Sequence, residues 1–317
     1  MNAASTRAGV FPAYWCDSQR HSDAMQQQRK RYSEEHWLRS HDPEQVLAAY
    51  LEQQGKAYSR VKNAFVKELL GDLAGKRFLD YGCGAGMFTV HAAHQGAVEV
   101  VGVDAEESAL AAAGHFARQE GVGRLCSFVR SDRFPVLGKR PRFDVILMKD
   151  IIEHVGDDQA LLYAAAEAVV PGGVLVVGTQ NSMSLNYLIQ GTYRRHLLGE
   201  KDWFGWDETH LRFYTPMSLT KKLALAGFTS EGWRSVYLIP YKLPGMPGFG
   251  KKFFRIDMLS WIDKMLGSVF PYNRLGWNMI VRARASAAVP QRISLPTHME
   301  AVSGAPVPAI CRSLRLP

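Results

Sequence analysis

The chain of 317 residues is predicted to form an α/β fold, in which a doubly wound, mostly parallel seven-stranded sheet lies between layers of helices. Two observations favour this class. Short, near-continuous apolar runs alternate with alanine-rich helical stretches, and parallel strands need such crossover helices on both faces of a sheet. The first apolar run also ends in an acid and a turn with three glycines, which is typical of ligand-binding turns between a strand and a helix.

The order of the elements follows from the change between helical and strand periodicity. Helical patterns begin at Pro43 and at Val61. Five strands are predicted at 77–80, 99–103, 127–129, 143–148 and 174–177, with helices at 86–96, 107–119 and 157–170 between them. A capped helix begins at Thr215-Pro216 and ends at Ala226-Gly227, and a strand at 228–239, a helical pattern at 252–269 and a last strand at 277–281 follow.

These elements divide the chain into three parts. Residues 1–60 are predicted to form an N-terminal helical arm. Residues 61–284 form the main domain, with helical lid elements at 181–214 and 240–275. The tail, 285–317, carries Pro, Ala and Ser, and this composition predicts disorder.

Composition argues against several classes of protein. The longest apolar runs, such as 174–177, are far shorter than the ~20 residues of a membrane-spanning helix. The four cysteines are scattered without a C-x-x-C pair, which indicates free thiols and a cytoplasmic location. The net charge of +8 is spread over short basic pairs rather than along a stripe interleaved with aromatics, so a nucleic-acid partner is not expected.

The glycine turn reads Asp80-Tyr81-Gly82-Cys83-Gly84-Ala85-Gly86. A dinucleotide fingerprint, G-x-G-x-x-G, requires its third glycine at position 87, where Met87 stands. A phosphate-binding P-loop requires Gly-Lys-Ser or Gly-Lys-Thr, which the turn lacks. Hydride-transfer cofactors and P-loop nucleotides are therefore disfavoured.

This turn resembles motif I of class I S-adenosylmethionine-dependent methyltransferases, D-x-G-C-G-x-G, and the likeness continues in order over residues 77–180. The resemblance implies that family's Rossmann-like fold and S-adenosyl-L-methionine as the cofactor. It also implies that Asp104 binds the ribose hydroxyls and that Asp132 accepts from the adenine amino group; the alternative role of Asp132 is to cap a turn. The implied cofactor-binding residues are Asp80, Gly82, Cys83, Gly84, Gly86, Asp104, Ala105, Asp132, Arg133 and Lys149.

Three ionisable residues, Asp150, Glu153 and His154, follow the fourth strand. Their spacing resembles the acid-x-x-Glu-His segment of ubiquinone-biosynthesis O-methyltransferases, with Asp150 where that family usually carries Glu. The resemblance implies a divalent cation near the substrate, and these three residues are its candidate ligands. His154 has three alternative roles: a general base for the acceptor's proton, a metal ligand, or a structural residue at a helix start.

An unusually aromatic segment at 202–214 contains His210 and precedes the helix that ends at Ala226-Gly227. Long connections at this end of a sheet are often lids that carry binding residues. His210 is predicted either to line the acceptor pocket or to tie the lid to the sheet. His154, Asp150 and His210 are the catalytic candidates.

The helical pattern at 252–269 carries an apolar stripe. Its members are Phe254, Met258, Trp261, Met265 and Leu266. Such a stripe predicts packing over the sheet or in a dimer contact. The alternative is a lid that touches a lipid-like substrate or the membrane surface, which would add a membrane-peripheral location.

The predicted function is S-adenosylmethionine-dependent methyl transfer to a small-molecule or lipid-like acceptor, at oxygen. One alternative is N- or C-methylation of a metabolite or a glycan precursor. Another is a catalytically silent binding protein that keeps the methyltransferase fold. The resemblance covers about residues 77–228, but the acceptor's identity depends on residues beyond the fifth strand, where the sequence diverges quickly from the family.

Overall fold

The computed structural model describes residues 40–131, 143–203, 205, 209–239, 242–244, 253–255 and 257–286. Its strands are β1 (Arg77–Tyr81), β2 (Glu99–Asp104), β3 (Cys126–Arg130), β4 (Phe143–Lys149), β5 (Val169–Gln180), β6 (Phe228–Val236), β7 (Lys242–Pro244), β8 (Phe253–Arg255) and β9 (Asn278–Ala285). Its helices are α1 (Pro43–Gly55), α2 (Ala57–Leu70), α3 (Met87–His94), α4 (Glu107–Gln119), α5 (Asp158–Ala168), α6 (Leu185–Thr192), α7 (Pro216–Leu225) and α8 (Ser260–Leu266). Short 3-10 or π segments lie at Ile152–His154, Tyr193–Leu197, Asp257–Leu259 and Tyr272–Arg274.

Seven of these strands form one sheet, in the order β3-β2-β1-β4-β5-β9-β6. Strands β1 to β5 are parallel, while β9 pairs antiparallel with both β5 and β6. The predicted doubly wound, mostly parallel sheet is therefore confirmed. The strand order reverses between β1 and β4, and ligands of open α/β sheets bind beyond the strand ends at such a reversal.

Each face of the sheet has its own hydrophobic core. On one face, α2 and α3 pack through residues such as Phe65 and Phe88. On the other face, α5 and α7 pack through residues such as Leu162 and Leu219. Full burial of one side chain of this size contributes about 1.5–3 kcal/mol, so the central strands gain stability on both sides. Burial on both faces explains why these strands are apolar without alternation.

Two helices precede the sheet. Asp42 caps α1 by accepting a hydrogen bond from the Glu44 N–H at 2.9 Å, and Pro43 occupies the first turn. α2 lies against β5, β6 and β9. The division predicted at residue 60 falls inside α2, while residues 1–39 of the predicted arm and 287–317 of the predicted tail lie outside the described part of the chain.

The prediction of a single helix at 252–269 is wrong at its start. Residues 253–255 form β8, which pairs antiparallel with β7, and α8 begins only at Ser260. Strand pairing satisfies the backbone N–H and C=O groups here, and this overrides the helical spacing of the side chains. β5 and β9 are also longer than predicted, because they pair with each other from Gln180 and Asn278 to Val174 and Arg284.

The apolar stripe around α8 faces solvent. Met258, Trp261 and Met265 are 76%, 55% and 63% exposed, so the predicted packing of these side chains over the sheet is wrong. Asp263 lies on the inner side instead, because its carboxylate accepts from the backbone N–H groups of Tyr237 and Leu238 at 2.6 and 3.0 Å. Across the described residues, no helix combines the length and the apolar character that a membrane crossing requires.

Candidate functional site

The polar groups of the site lie in a row along one edge of the sheet. This edge holds the carboxyl ends of β1 to β5 and, because β9 runs the other way, the start of β9. Along the row are Asp104 on β2, the glycine turn after β1, Asp150 after β4, Gln180 on β5 and Asn278 on β9. The strand order therefore brings together side chains that lie far apart in the sequence.

The glycine turn is held against β2 and has a backbone that favours glycine. Gly82, Gly84 and Gly86 have φ values of 79°, 53° and 84°, in the left-handed region. The N–H groups of Gly82 and Cys83 both donate to the Val103 carbonyl, at 2.7 and 2.9 Å. The turn is thus a fixed cradle at the N-terminus of α3, where a ligand approaches the backbone closely.

Asp80 lies one residue before the end of β1, and its side chain is almost fully buried. Burial raises its pKa to about 7, although the hydroxyl of Thr89 donates to Oδ2 at 2.9 Å and opposes the shift. The Cys83 thiol beside it is also buried, and burial raises its pKa well above the ordinary value. Asp80 and Cys83 therefore form the floor of the cradle rather than its solvent face.

Asp104 ends β2 and keeps acceptor capacity toward the cradle. Its Oδ2 accepts from the Gly84 N–H at 2.8 Å, and its Oδ1 accepts from the Glu106 N–H at 2.9 Å. A carboxylate has about four lone-pair positions, so two further donors fit. Burial raises the pKa of Asp104, and the two N–H donors oppose this shift. The next residue, Ala105, accepts at its carbonyl from Arg130 Nε at 3.3 Å.

Tyr50 of α1 covers the glycine turn and was not predicted as a site residue. A Cβ atom at Gly84 would lie 3.3 Å from the Tyr50 ring. Burial, and then the negative charge of Asp80, raise the pKa of the Tyr50 phenol. The ring thus lies among the acids of the cradle and shields them from water. The sequence shows Tyr50 only as one of several apolar positions of a helix.

Asp150 is held between two lysines. Both carboxylate oxygens lie 2.6 Å from Lys62 Nζ, and Oδ2 lies 3.1 Å from Lys149 Nζ. Burial would raise the pKa of Asp150, but the ammonium groups of Lys62 and Lys149 outweigh it and hold the pKa well below the ordinary range. The backbone of Asp150 has a φ of 58°, which is uncommon for a non-glycine residue. The ion pairs with Lys62 and Lys149 hold the residue in this conformation.

Glu153 is fully buried behind this cluster. Its Oε2 accepts from the Thr179 hydroxyl at 2.8 Å, while Oε1 has no hydrogen-bond partner in the described structure. Burial, and then the charge of Asp150, raise the pKa of Glu153 to about 8. Glu153 therefore carries a proton at neutral pH unless a cation approaches it.

His154 and His210 lie side by side. Their ring centroids are 4.7 Å apart, and a ligand atom of each lies within 4.8 Å of the Glu153 carboxylate. These three residues could hold a cation such as Zn²⁺, which accepts nitrogen and oxygen ligands. The predicted set of Asp150, Glu153 and His154 fits a shared cation poorly, because Lys62 and Lys149 already neutralise Asp150.

The segment that carries His210 is tied to the loop after β4. The Leu211 N–H donates to the Glu153 carbonyl at 2.9 Å. Arg212 donates to the carbonyls of Val155 and Gly156 at 2.8 and 2.7 Å. His210 thus lies against His154, and its neighbours tie the segment to the loop after β4.

Aromatic rings line the far side of the His210 segment. Tyr187 of α6 stacks on Trp277, with ring centroids 5.5 Å apart, and Phe213 lies edge-on to His210 at 5.5 Å. Trp203 lies 5.4 Å from Tyr187. Rings packed in this way form a rigid apolar wall beside the two histidines.

Most of the predicted site residues meet at this edge. Asp80, Gly82, Cys83, Gly84, Gly86, Asp104, Ala105, Lys149, Asp150, His154 and His210 are all placed there. Asp132 and Arg133 lie outside the described residues. Sequence reasoning missed Tyr50 and Lys62. For Lys62 the available signal was its position beside Val61, on the apolar side of a helix.

Three comparisons relate the chain to known proteins. A family model described as a methyltransferase domain matches residues 50–231, more than half of the chain. A ubiquinone biosynthesis O-methyltransferase from Bradyrhizobium sp. (strain ORS 278) is 34% identical over 159 residues, 49% of this chain and 58% of that protein. Another from Idiomarina loihiensis is 31% identical over 190 residues, 57% of this chain and 73% of that protein.

The chain thus spans less than two thirds of the first of these relatives. Among solved structures, a chain from the complex of the Haloferax volcanii Trm112 methyltransferase activator is similar, with a TM-score of 0.52 and 14% identity. The match covers 76% of this chain and 94% of that chain. A likeness at this identity supports the fold alone.

Proposed function

Because the chain belongs to the class I S-adenosylmethionine-dependent methyltransferase family, we propose that it transfers the cofactor's methyl group to a hydroxyl oxygen of a small-molecule or lipid-like acceptor. The observation that carries this proposal is the row of site groups along one sheet edge. Acids and glycines suited to the cofactor lie on β2, β1 and β4, and two histidines and an aromatic wall follow.

The cradle fits the cofactor through its donor set. Asp104 keeps acceptor positions for the two ribose hydroxyls, and the glycines supply the left-handed backbone of the turn that faces the methionine part. The charged cluster of Lys62, Lys149 and Asp150 lies on the same sheet edge as the turn, and the cofactor's amino-acid end carries charges of both signs that such a cluster can bind. When bound, S-adenosylmethionine supplies a methyl group on a positively charged sulfur. The residues of the chain then align the acceptor with it and exclude water.

We assign removal of the acceptor's proton to His154. Its Nδ1 lies 3.3 Å from the Thr209 carbonyl and 3.4 Å from the Thr209 hydroxyl; with the hydrogen on Nδ1, directed to the carbonyl, Nε2 keeps a lone pair for the acceptor. A hydroxyl is a weak nucleophile until it loses its proton, and a positioned base contributes about 10²–10⁴-fold. The similar proteins are O-methyltransferases, which supports oxygen as the acceptor atom. No step is assigned to a divalent cation.

We also propose that the surface around α8 contacts a lipid bilayer, from which a lipid-like acceptor would be drawn. Met258, Trp261 and Met265 are exposed, and Lys264 is an exposed cation beside them. Asp263 of α8 accepts a hydrogen bond from the backbone N–H of Tyr237, which follows β6. β6 runs parallel to β5 and therefore ends at the sheet edge that holds the site. The exposed surface therefore lies on the side where the acceptor enters.

Calorimetric titration and a methyl-transfer screen test the function. We expect S-adenosylmethionine and its demethylated product to bind, and labelled methyl to appear on the hydroxyl-bearing members of a panel of phenols, sugars, amines and quinone precursors. Asp104→Ala should weaken cofactor binding at least about tenfold. Glu107→Ala, which removes an exposed acid on α4, is the matched control and should bind as the wild type does.

The outcomes separate the alternatives. Cofactor binding without transfer to any member would favour a silent binding protein. Transfer to amines alone would contradict oxygen as the acceptor atom. A wild-type protein that bound neither cofactor form would contradict the enzyme itself.

A further inference from the structure

Two buried amide side chains lie side by side at the site edge with polar atoms left unsatisfied. Gln180 ends β5 and Asn278 begins β9, and the two are direct partners in antiparallel register. Partners of this kind share a face, with Cβ atoms about 4.5–5.5 Å apart. Gln180 is 8% exposed and Asn278 1%, yet Gln180 Oε1 and Asn278 Nδ2 have no hydrogen-bond partner among the described residues. A buried polar group without a hydrogen-bond partner destabilises the fold, so two of them side by side at the site edge call for an explanation.

The orientation of the Asn278 amide is fixed from α2. The Tyr58 hydroxyl donates to Asn278 Oδ1, so the oxygen is occupied and Nδ2 is the end that remains. Tyr58 is held in turn by an edge-on contact with the Tyr237 ring, with centroids 5.5 Å apart. Contacts with Tyr58, itself held by Tyr237, thus fix the direction in which the Asn278 amide nitrogen points.

The two amides lie near the end of β4, beside which the proposed function puts methyl transfer. β5 is the neighbour of β4, and Lys149 pairs with Gly178, two residues before Gln180. Adjacent strands lie about 4.8 Å apart, so the amides are roughly one and two strand widths from the end of β4. One helix links the two places, because Lys62 of α2 contacts Asp150 and Tyr58, one turn earlier, contacts Asn278.

We propose that Gln180 and Asn278 bind a second hydroxyl group of the acceptor, separate from the one that is methylated. This inference rests on the proposed function. A hydroxyl both donates and accepts, so one such group satisfies Gln180 Oε1 and Asn278 Nδ2 together. A carboxylate or phosphate only accepts and leaves Gln180 Oε1 unsatisfied, while an ammonium only donates and leaves Asn278 Nδ2 unsatisfied. The acceptor is therefore polyhydroxylated and uncharged where it meets β5 and β9.

Matched acceptor pairs test the specificity. Resorcinol with phenol, and a methyl glycoside with its deoxy analogues, differ by one hydroxyl and serve as probes in the labelled methyl-transfer assay. The wild type should prefer the more hydroxylated member, and Gln180→Leu should reduce this preference in kcat/KM at least about tenfold, mainly through KM. Cofactor affinity in calorimetry should not change.

Gln159→Leu is the matched control. Gln159 of α5 also has an Oε1 without a partner in the described part of the chain, but its amide nitrogen donates to the Lys222 carbonyl on the other face of the sheet. The preference of this variant should equal that of the wild type. Equal turnover of both members of every pair by the wild type would overturn the proposal, as would loss of preference in both variants.

Thermal unfolding gives a readout that does not depend on turnover. Gln180→Leu removes an unsatisfied buried amide, so its midpoint should equal or exceed that of the wild type if the amide serves binding. A lower midpoint in Gln180→Leu than in Gln159→Leu would assign the amide to the fold and overturn the proposal. A wild type that binds the cofactor but methylates no probe contradicts the proposed function, and the midpoint comparison then decides the role of Gln180.

Discussion

Glu153 is a carboxylic acid in a place that stabilises its neutral form. Burial raises its pKa to about 8, from the 4.5 of an ordinary glutamic acid. The folded protein therefore binds this proton more tightly than the unfolded chain does. Stability from this group is fully present below about pH 4.5 and is lost as the pH rises through about 8.

We expect Glu153→Gln to remove this loss, because glutamine keeps the shape and the Thr179 contact but carries no charge. The variant should gain stability relative to the wild type between about pH 5 and about pH 9, by no more than about 5 kcal/mol. Thermal unfolding across this range measures it, with Glu120→Gln on the surface as the control. A wild-type stability that rose with pH relative to the variant would mean that Glu153 is ionised in the folded protein.

His154 Nδ1 contacts the carbonyl and the hydroxyl of Thr209, and the tautomer that donates to the carbonyl leaves Nε2 with a lone pair for the acceptor. We expect His154→Ala to lower kcat by about 10²–10⁴-fold, because the acceptor's proton loses its base. Cofactor affinity in calorimetry should remain that of the wild type. His94→Ala changes a half-exposed histidine on α3 and should leave both quantities unaltered. An unchanged kcat in His154→Ala would leave this residue only a packing role.

The glycine turn and Asp104 were predictable because both belong to one short stretch of chain. Three glycines between a strand and a helix indicate a tight turn that a ligand approaches closely, and the acid at the end of β2 follows from the same strand pattern. Lys62 was not predictable in this way, because its partner Asp150 lies 88 residues later. Sequence patterns report local periodicity, and they do not report which side chains a fold brings together.

At the scale of elements, α2 connects the cofactor part of the site to the rest of the sheet. Its apolar residues pack on the core, and Tyr58 and Lys62 reach the site from the same helix. At 252–269 the sequence pattern predicted a helix, but residues Phe253–Arg255 form a strand that pairs with β7. Contacts between elements distant in sequence determine both the site contacts of α2 and the strand at Phe253–Arg255.

Removing Lys62 should therefore damage both stability and cofactor binding. Lys62→Met leaves Asp150 largely buried with Lys149 as its remaining ammonium partner, and breaking a buried ion pair costs about 3–5 kcal/mol. Chemical denaturation and calorimetry measure the two effects. Lys67→Met, on the exposed side of the same helix, should change neither by more than about 0.5 kcal/mol. Equal stabilities of the two variants would show that the Lys62 pair contributes nothing.

At the scale of the whole molecule, the exposed stripe and the site share one edge of the sheet. We expect the wild type to sediment with phosphatidylglycerol vesicles. The double variant Trp261→Ser, Met265→Ser should bind these vesicles at least about tenfold more weakly, since burial of each side chain contributes about 1.5–3 kcal/mol. Val98→Ser, which changes an exposed residue at the opposite sheet edge, is the control.

Two results would argue against the lipid surface. Failure of the wild type to bind these vesicles would exclude it. A molecular mass in solution that fell from dimer to monomer in the double variant would assign the stripe to a contact between two copies of the chain.

β9 also affects how the protein is made. It lies between β5 and β6, so β6 cannot join the sheet until residues 278–285 have been synthesised. Translation from residue 181 to 285, at about 5–20 residues per second, leaves β5 as an open edge for roughly 5–20 seconds. Unpaired edges of this kind join other chains. The nascent chain is thus most prone to aggregation late in synthesis, and a stop codon before residue 278 would leave β6 permanently unpaired from the sheet.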